Sequence, residues 1–260
     1  MKNKYPLLES QKKFYDKYWS KDLTLNRRGV FLHYLLEGGI LRKCINKFVV
    51  SRIKDIKATG PKNRTLTIID MGCGDGWLTN ILSQYGDITG VDLSTEVART
   101  SYPKLEFKQV NVVTEKIEGI FDVVVSSEVL EHLTSENQQT YIKKALDILR
   151  EGGYLILTTP NKRSDDDEKL RKKYLKLQPI ENWIDKNTLA SLLERHNFKI
   201  RFIGSGKFWP AFIQKHSLLN LLYEIFCVRM YNILYILIFK WLESSNKGTT
   251  LMVIAQKVSD

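Results

Sequence analysis

The segment 68–76 limits the fold of this chain more than any other. A short β-branched run ends at Asp70, and glycines follow at positions 72, 74 and 76. Glycine has no Cβ, so such a loop lets the main chain turn sharply and approach a bound molecule closely. Asp92 ends a second apolar run, 20 residues after Gly72. An acidic side chain at that place can accept hydrogen bonds from both hydroxyl groups of a ribose.

Short apolar runs alternate with helical patterns along the rest of the chain. The predicted strands are 66–70, 88–92, 105–110, 121–126, 154–158, 198–203 and 250–255. The uninterrupted apolar triplets 123–125 and 155–157 are typical of strands buried on both faces, and the clearest helix spans 138–150. This alternation predicts an α/β fold with a doubly wound parallel sheet that is covered by helices.

The chain divides at Gly60-Pro61, which interrupts a helical pattern. We therefore predict an N-terminal helical cap over residues 1–60 and a main domain over residues 61–260. Two segments of the main domain, 161–182 and 204–247, are predicted to be insertions. The second joins two strands through about 40 residues, whereas hairpin connections are a few residues long, and it is predicted to be helical.

Charge and cysteine usage narrow the class of protein. The net charge is +11, but residues 61–160 are net acidic and both flanks are net basic. This distribution favours a functional core with positively charged accessory surfaces over a uniformly basic coat. The three cysteines, Cys44, Cys73 and Cys227, are far apart and form no CxxC pair. They favour a reducing cytoplasmic environment over a disulfide framework or a zinc cluster.

The glycine loop and its surroundings resemble the class I S-adenosylmethionine-dependent methyltransferases. The residues that carry this resemblance are Asp70-Met71-Gly72-Cys73-Gly74-Asp75-Gly76, Asp92 and the segments 121–132 and 149–156. Within this class, the chain resembles methyltransferases of types 11 and 23, and it is similar to the ubiquinone-biosynthesis O-methyltransferases and small-molecule or sugar methyltransferases. It covers residues 62–160 well, and 183–203 and 249–257 loosely. It implies a Rossmann-like, seven-stranded sheet whose last strand is antiparallel.

The resemblance also implies a site for S-adenosylmethionine, which becomes S-adenosylhomocysteine. Asp92 would bind the ribose, Leu93 would pack on the adenine, and Asp70 would support the methionine amino group. Asn111 stands where the family often has an Asp that faces the adenine amino group, and an Asn oxygen can accept that hydrogen bond. The full set of expected cofactor-binding residues is Asp70, Gly72, Cys73, Gly74, Asp92, Leu93, Asn111, Val112 and Ser127.

His132 and Glu128 are the candidate catalytic residues. The unperturbed imidazole pKa of about 6.5 suits a general base that removes the proton of a hydroxyl acceptor. Glu128, Glu131 and His132 would share one face if they continued as a helical turn. This trio resembles a Glu…Glu-His segment that is implicated in divalent metal binding in ubiquinone-biosynthesis O-methyltransferases. A capped and solvated helix start is the alternative, and we predict no metal ligand.

The insertion contains an apolar segment, 218–239. We exclude a single membrane span, because it would separate the last strand from its sheet. A substrate-pocket lid, a homodimer surface, an interfacial membrane helix and a plain buried helix pair remain open. Flanking lysines would suit peripheral contact with anionic lipid headgroups through 208–242, on the inner surface of the membrane.

The leading functional hypothesis is O-methylation of a small-molecule, sugar or lipid-linked acceptor in a biosynthetic reaction. An RNA methyltransferase is the first alternative, suggested by the net charge of +11. Against it, Ser126-Ser127-Glu128 stands where base-modifying enzymes carry an Asn-Pro-Pro-Tyr type of motif, so we regard nucleic acid as an unlikely partner. The second alternative is a non-catalytic partner subunit that binds the cofactor.

Overall fold

The computed structural model describes residues 10–16, 39–60, 62–163, 179–206 and 248–258. The strands in these ranges are β1 (Thr67–Met71), β2 (Asp87–Asp92), β3 (Glu106–Gln109), β4 (Phe121–Ser127), β5 (Leu149–Pro160), β6 (Phe198–Gly206) and β7 (Thr250–Lys257). The helices are α1 (Gly39–Thr59), α2 (Trp77–Leu82), α3 (Glu96–Ser101), α4 (Ser135–Asp147) and α5 (Lys186–Arg195). A 3₁₀ helix spans Leu130–His132, and residues 10–16 are also helical.

The strands form one sheet in the order β3-β2-β1-β4-β5-β7-β6. Neighbours among β1 to β5 are parallel, whereas β7 is antiparallel to both β5 and β6. The predicted Rossmann-like sheet with an antiparallel last strand is therefore confirmed. The chain runs outward from β1 to β3 and then returns to β4 beside β1. Ligands of such sheets bind at the carboxyl ends of the strands beside this change of direction.

The elements differ from the sequence prediction most at β5. This strand begins at Leu149 rather than at 154, because Leu149 pairs with Phe121 across a register shift. The preceding helix, predicted to reach residue 150, ends at Asp147. Residues that the apolar pattern assigned to a helix end thus belong to the sheet.

Apolar layers cover both faces of the sheet, because successive strand residues point to opposite sides. On one face, α1 and α2 pack against residues that include Ile68 and Val123. On the other, α4 and α5 pack against residues that include Ile69 and Val124. All four of these side chains are fully buried. Helix α1, which the sequence prediction placed in an N-terminal cap, thus packs directly on the sheet.

An ionic cluster joins the amino ends of β1 and β4, at the end of the sheet opposite the carboxyl ends of these strands. Arg64 Nη1 donates to Asp122 Oδ2 at 2.6 Å, and Arg150 Nε lies 3.2 Å from Oδ1. The amide and hydroxyl of Thr67 both donate to Asp122 Oδ2 at 2.9 Å. Burial acts to raise the pKa of Asp122, but the bonds from Arg64 and Thr67 outweigh it and hold that pKa well below its usual value.

Several predictions concern residues outside the described ranges. These are Cys227, the segments 208–242 and 218–239, and most of the two insertions, namely 164–178 and 207–247. The structural alternatives for these segments stay predictions. Among the helices that the structure does describe, none combines the length and the apolar character needed to cross a bilayer.

Candidate active site

The glycine loop between β1 and α2 has the conformation that its sequence predicts. The φ angles of Gly72, Gly74 and Gly76 are +93°, +52° and +80°, a region that residues with a Cβ rarely adopt. The amides of Gly72 and Cys73 both donate to the carbonyl oxygen of Val91, at 2.7 and 3.0 Å. The loop is therefore tied to the end of β2 beside Asp92.

Gly72 also allows the loop to meet the segment after β4. A Cβ built on Gly72 would lie 2.3 Å from Cγ2 of Val129, closer than real atoms approach. The loop and Val129 are thus in contact only because residue 72 has no side chain. This contact brings the carboxyl ends of β1 and β4 together at the change of direction in the sheet.

Asp92 fits the ribose end of the expected cofactor. The amide of Gly74 donates to its Oδ2 and the amide of Ser94 donates to its Oδ1, each at 3.0 Å. Each carboxylate oxygen keeps a second lone pair, and the side chain is partly accessible. Burial raises the pKa of Asp92, while these two amides oppose the rise. The carboxylate is fixed and still able to accept hydrogen bonds from a diol.

The side chains of Asp70 and Cys73 are buried beneath the loop. The Thr79 hydroxyl donates to Asp70 Oδ2 at 2.6 Å, and Asp70 is only 1% exposed. Burial raises the pKa of Asp70 to about 7. The Cys73 side chain packs with Ala98 and Phe107. Asp70 therefore anchors α2 to β1, and Cys73 offers a ligand only its main chain.

Asn111 differs from the expectation. Its Oδ1 accepts hydrogen bonds from the amides of Val113 and Thr114, at 2.9 and 3.2 Å. Both lone pairs of this oxygen are thus used in a local turn, so it is not available to the adenine amino group as expected. Val112 is buried beside this turn, and Leu93 on the neighbouring strand end remains partly exposed.

The end of β4 turns sharply at the two residues that the sequence placed beside the methionine and the acceptor. Ser127 Oγ lies 3.1 Å from Oγ1 of Thr158 on β5. Glu128 has a φ angle of +55°, which is uncommon for a residue with a Cβ, and its amide donates to the Thr158 carbonyl oxygen at 2.9 Å. Such backbone conformations concentrate at functional sites.

His132 ends the 3₁₀ helix, and its ring is held from two sides. Nδ1 lies 3.3 Å from the carbonyl oxygen of Ile180 and 3.7 Å from Oε1 of Glu181. Nε2 lies 3.8 Å from Oε1 of Glu131. The ring of Tyr15 in the N-terminal helical segment is 5.9 Å from the imidazole, centroid to centroid. The His132 side chain keeps 19% of its surface exposed.

Glu131 is buried beside the His132 ring. Its Oε2 accepts a hydrogen bond from the Thr159 hydroxyl at 2.9 Å. Burial raises the pKa of Glu131 to about 8, and the nearby Glu181 acts in the same direction. The condition for a shared helical face is therefore not met, because a turn at Glu128 precedes a short 3₁₀ helix. Within the described residues, no three His, Cys, Asp or Glu side chains are arranged to hold a metal ion.

Sequence reasoning missed three residues that shape this site: Gln11, Tyr141 and Glu181. The side-chain Nε2 of Gln11 donates to the His132 carbonyl oxygen at 2.9 Å. The buried Tyr141 hydroxyl donates to the carbonyl oxygen of Met71 at 2.7 Å and so supports the glycine loop from below. Glu181 reaches the His132 ring, and these three contacts join residues at least 49 positions apart, so no local motif signals them.

Comparison with known families decides the class of this protein. A family model described as a methyltransferase domain matches residues 45–201, which is more than half of the chain. The chain belongs to this methyltransferase family. With the glycine loop, Asp92 and the sheet order, it is a class I enzyme that depends on S-adenosylmethionine as its cofactor.

Individual relatives share parts of this methyltransferase. It is 29% identical to the ubiquinone biosynthesis O-methyltransferase of Rickettsia canadensis (strain McKiel) over 195 residues, which are 70% of this chain and 72% of that protein. It is 31% identical over 110 residues to the mitochondrial ubiquinone biosynthesis O-methyltransferase of Homo sapiens. That match covers 37% of this chain and only 29% of the human protein.

A solved structure shares the fold of the methyltransferase over almost its whole length. The N-methyltransferase NodS from Bradyrhizobium japonicum WM9, in complex with S-adenosylhomocysteine, superposes with a TM-score of 0.56. The alignment covers 94% of this chain and 99% of NodS, at 13% identity. This similarity concerns the fold alone.

Proposed function

We propose that this methyltransferase transfers the methyl group of S-adenosylmethionine to a hydroxyl oxygen of a small-molecule acceptor. The observation that carries the proposal is the His132 ring beside the carboxyl ends of the central strands. It is near enough to Asp92 for each group to influence the pKa of the other. The names of the Rickettsia and human relatives also support oxygen as the acceptor atom.

His132 has the charge state that a general base requires. Burial lowers the pKa of His132, and this effect outweighs the opposing influence of Glu181 and Asp92. The imidazole is therefore neutral at physiological pH, and it can accept a proton there. Among the described residues, Nε2 has no hydrogen-bond partner, so we assign it as the atom that accepts the proton of the acceptor hydroxyl.

The chain's own residues position the reaction. When bound, S-adenosylmethionine supplies a sulfonium methyl group for in-line attack by the acceptor oxygen. We propose that Asp92 holds the ribose and that the main chain of Gly72–Gly74 lines the methionine part. His132 Nε2 takes the hydroxyl proton. Well-aligned reactants alone can lower a barrier by on the order of 7 kcal/mol.

We propose a hydroxyl-bearing small molecule, a sugar or a lipid-linked precursor as the acceptor. The Tyr15 ring beside His132 offers a surface against which a planar ring can pack. Catechol is a suitable first probe because it combines a planar ring with an acidic hydroxyl. Contact with a membrane surface through residues 208–242 would suit the lipid-linked class and stays a proposal.

Label transfer tests the proposal. The protein is incubated with S-adenosylmethionine radiolabelled in its methyl group, together with catechol or a fractionated cell extract. We expect label in a low-mass or lipid fraction, as an ether that resists mild alkali. Label that enters RNA or protein instead would contradict the proposal.

A substitution at His132 tests the base. We expect His132→Asn to slow transfer by about 10²- to 10⁴-fold, which is the usual contribution of a general base, and to leave donor affinity unchanged. The matched control is His196→Asn. His196 bonds the Gln139 side chain at 3.0 Å, at the junction of α4 and α5. Undiminished transfer by the His132 variant would remove it as the base.

A further inference from the structure

Glu181 is a buried carboxylate for which the reaction as described has no use. Its side chain is 4% exposed, and it belongs to the connection between the 164–178 segment and α5. One oxygen, Oε2, accepts a hydrogen bond from the indole N–H of Trp183 at 2.5 Å. The other, Oε1, faces Nδ1 of His132 at 3.7 Å. A buried charge is costly unless it is paired and hydrogen-bonded, and Trp183 supplies one of those bonds.

The connection that carries Glu181 is fastened to the 3₁₀ helix that carries His132. The main-chain amide of Asn182 donates to the Glu131 carbonyl oxygen at 2.7 Å, and the side-chain amide of Asn182 donates to the Leu133 carbonyl oxygen at 3.2 Å. Gln138 Nε2 donates to the carbonyl oxygens of Leu130 and Asn182, at 2.9 and 3.2 Å. These bonds fix the position of Glu181 relative to the imidazole.

The acceptors around Nδ1 determine which ring nitrogen carries the proton. The Ile180 carbonyl oxygen, 3.3 Å away, can only accept a hydrogen bond, so this contact is a hydrogen bond only when Nδ1 carries the hydrogen. A neutral imidazole with its hydrogen on Nδ1 presents the lone pair on Nε2. Glu181 Oε1 lies on the same side of the ring, where its negative charge favours the Nδ1 hydrogen.

We infer that Glu181 is a positioning residue of this reaction: together with the Ile180 carbonyl oxygen, it holds His132 in the Nδ1–H tautomer, so that Nε2 acts as the base. The inference rests on the proposed function. When Nε2 takes the acceptor proton, the ring becomes positively charged, and Glu181 stabilises that charge from the Nδ1 side.

Among the residues that the structure describes, three other side chains act on the ring. Glu131 Oε1 lies 3.8 Å from Nε2, but this carboxyl group also bonds the Thr159 hydroxyl and is buried. Asp92 acts on the imidazole through its charge. The Tyr15 ring packs at 5.9 Å. Among these three side chains and Glu181, Glu181 is the one near Nδ1, so its substitution should change the tautomer without moving the 3₁₀ helix.

Nuclear magnetic resonance of the ring nitrogens tests the inference without an acceptor. Full-length protein is labelled with ¹⁵N in its histidine rings and saturated with S-adenosylhomocysteine, and His132→Asn assigns the signal. We expect the wild-type ring as the Nδ1–H tautomer. In Glu181→Gln, one amide oxygen must serve both Trp183 and His132, so we expect a mixture with the Nε2–H tautomer. Glu181→Asp keeps the charge and should restore part of the Nδ1–H signal.

The matched control is Glu194→Gln, an exposed residue of α5. In the label-transfer assay we expect Glu181→Gln to lower the rate by about 10- to 100-fold at unchanged donor affinity, and the control to keep the wild-type rate. A wild-type ring in the Nε2–H form, or an unchanged tautomer in Glu181→Gln, would overturn the inference. Normal transfer by His132→Asn would instead refute the base in the proposed function, and the tautomer result would still stand.

Discussion

Substitution of Gly72 by Ala tests whether the glycine loop needs both its unusual backbone angle and its missing Cβ. With φ at +93°, an Ala side chain costs about 1–2 kcal/mol in backbone strain. The new Cβ would lie 2.3 Å from Cγ2 and 3.0 Å from Cγ1 of Val129. Such overpacking typically costs about 1–3 kcal/mol. We expect Gly72→Ala to lower the free energy of unfolding by about 2–5 kcal/mol.

The two contributions can be separated by also changing Val129. Val129→Ala removes the two atoms nearest the new Cβ and keeps only the Cβ of residue 129, at 3.2 Å, while the backbone angle of residue 72 stays unchanged. We therefore expect the double variant to be about 1–3 kcal/mol more stable than the sum of the single effects predicts. Urea unfolding of the four proteins in the cycle measures this coupling.

Additive effects in this cycle would refute the steric argument, since the Val129 methyl groups would then not oppose a side chain at residue 72. A stability of Gly72→Ala equal to wild type would refute the backbone argument as well. Gly152→Ala is a useful control, because its φ is also positive, +74°, while the nearest atom to its Cβ would be 3.9 Å away. It should show the strain alone.

Two further predictions concern titrating groups. Asp122→Asn should lower the free energy of unfolding by about 2 kcal/mol at pH 7, because it weakens the charged bonds from Arg64 and Thr67. The effect should shrink as the pH falls below about 4, where the unfolded carboxyl and then the folded one take up protons; a loss that stays constant down to pH 2 would contradict it. Glu131 has a raised pKa of about 8, so the folded state binds more protons than the unfolded state between about pH 4 and 8. The stability that this group contributes is complete at low pH and is lost as the pH rises toward 8. Glu131→Gln should therefore reduce the fall in melting temperature over this range, although the raised pKa of Asp70 will still cause part of it. An unchanged dependence of melting temperature on pH would contradict the assignment.

The sequence was sufficient for the conformation of the glycine loop and for the alternation of strands and helices. These depend on local rules: residues 72, 74 and 76 adopt angles that glycine favours, and alternating apolar strands must be covered on both faces. The role of Asn111 could not be predicted in this way, because its side-chain oxygen can accept hydrogen bonds either from a ligand or from nearby main-chain amides. The nearby amides of Val113 and Thr114 take it, as often happens with Asn side chains in turns.

The surroundings of His132 could not be predicted from the sequence. The expected helical face depended on spacing alone, whereas the turn at Glu128 and the short 3₁₀ helix direct Glu131 into the interior toward Thr159. Glu181 comes from a connection 49 positions away, and only the packing of that connection on the 3₁₀ helix brings it to the ring. Contacts of this kind depend on the tertiary fold, so a pattern of residues in the sequence does not predict them.

Isothermal titration of S-adenosylhomocysteine and S-adenosylmethionine into the wild-type protein and Asp92→Ala tests the central assignment most directly. Two hydroxyl bonds to a carboxylate contribute about 1.5–3 kcal/mol each, so we predict clear binding by the wild type and at least about 10²-fold weaker binding by the variant. Asp87→Ala, an exposed position on the same strand, should bind like the wild type. A wild-type protein that binds neither compound, or an Asp92→Ala variant with undiminished affinity, would contradict the account.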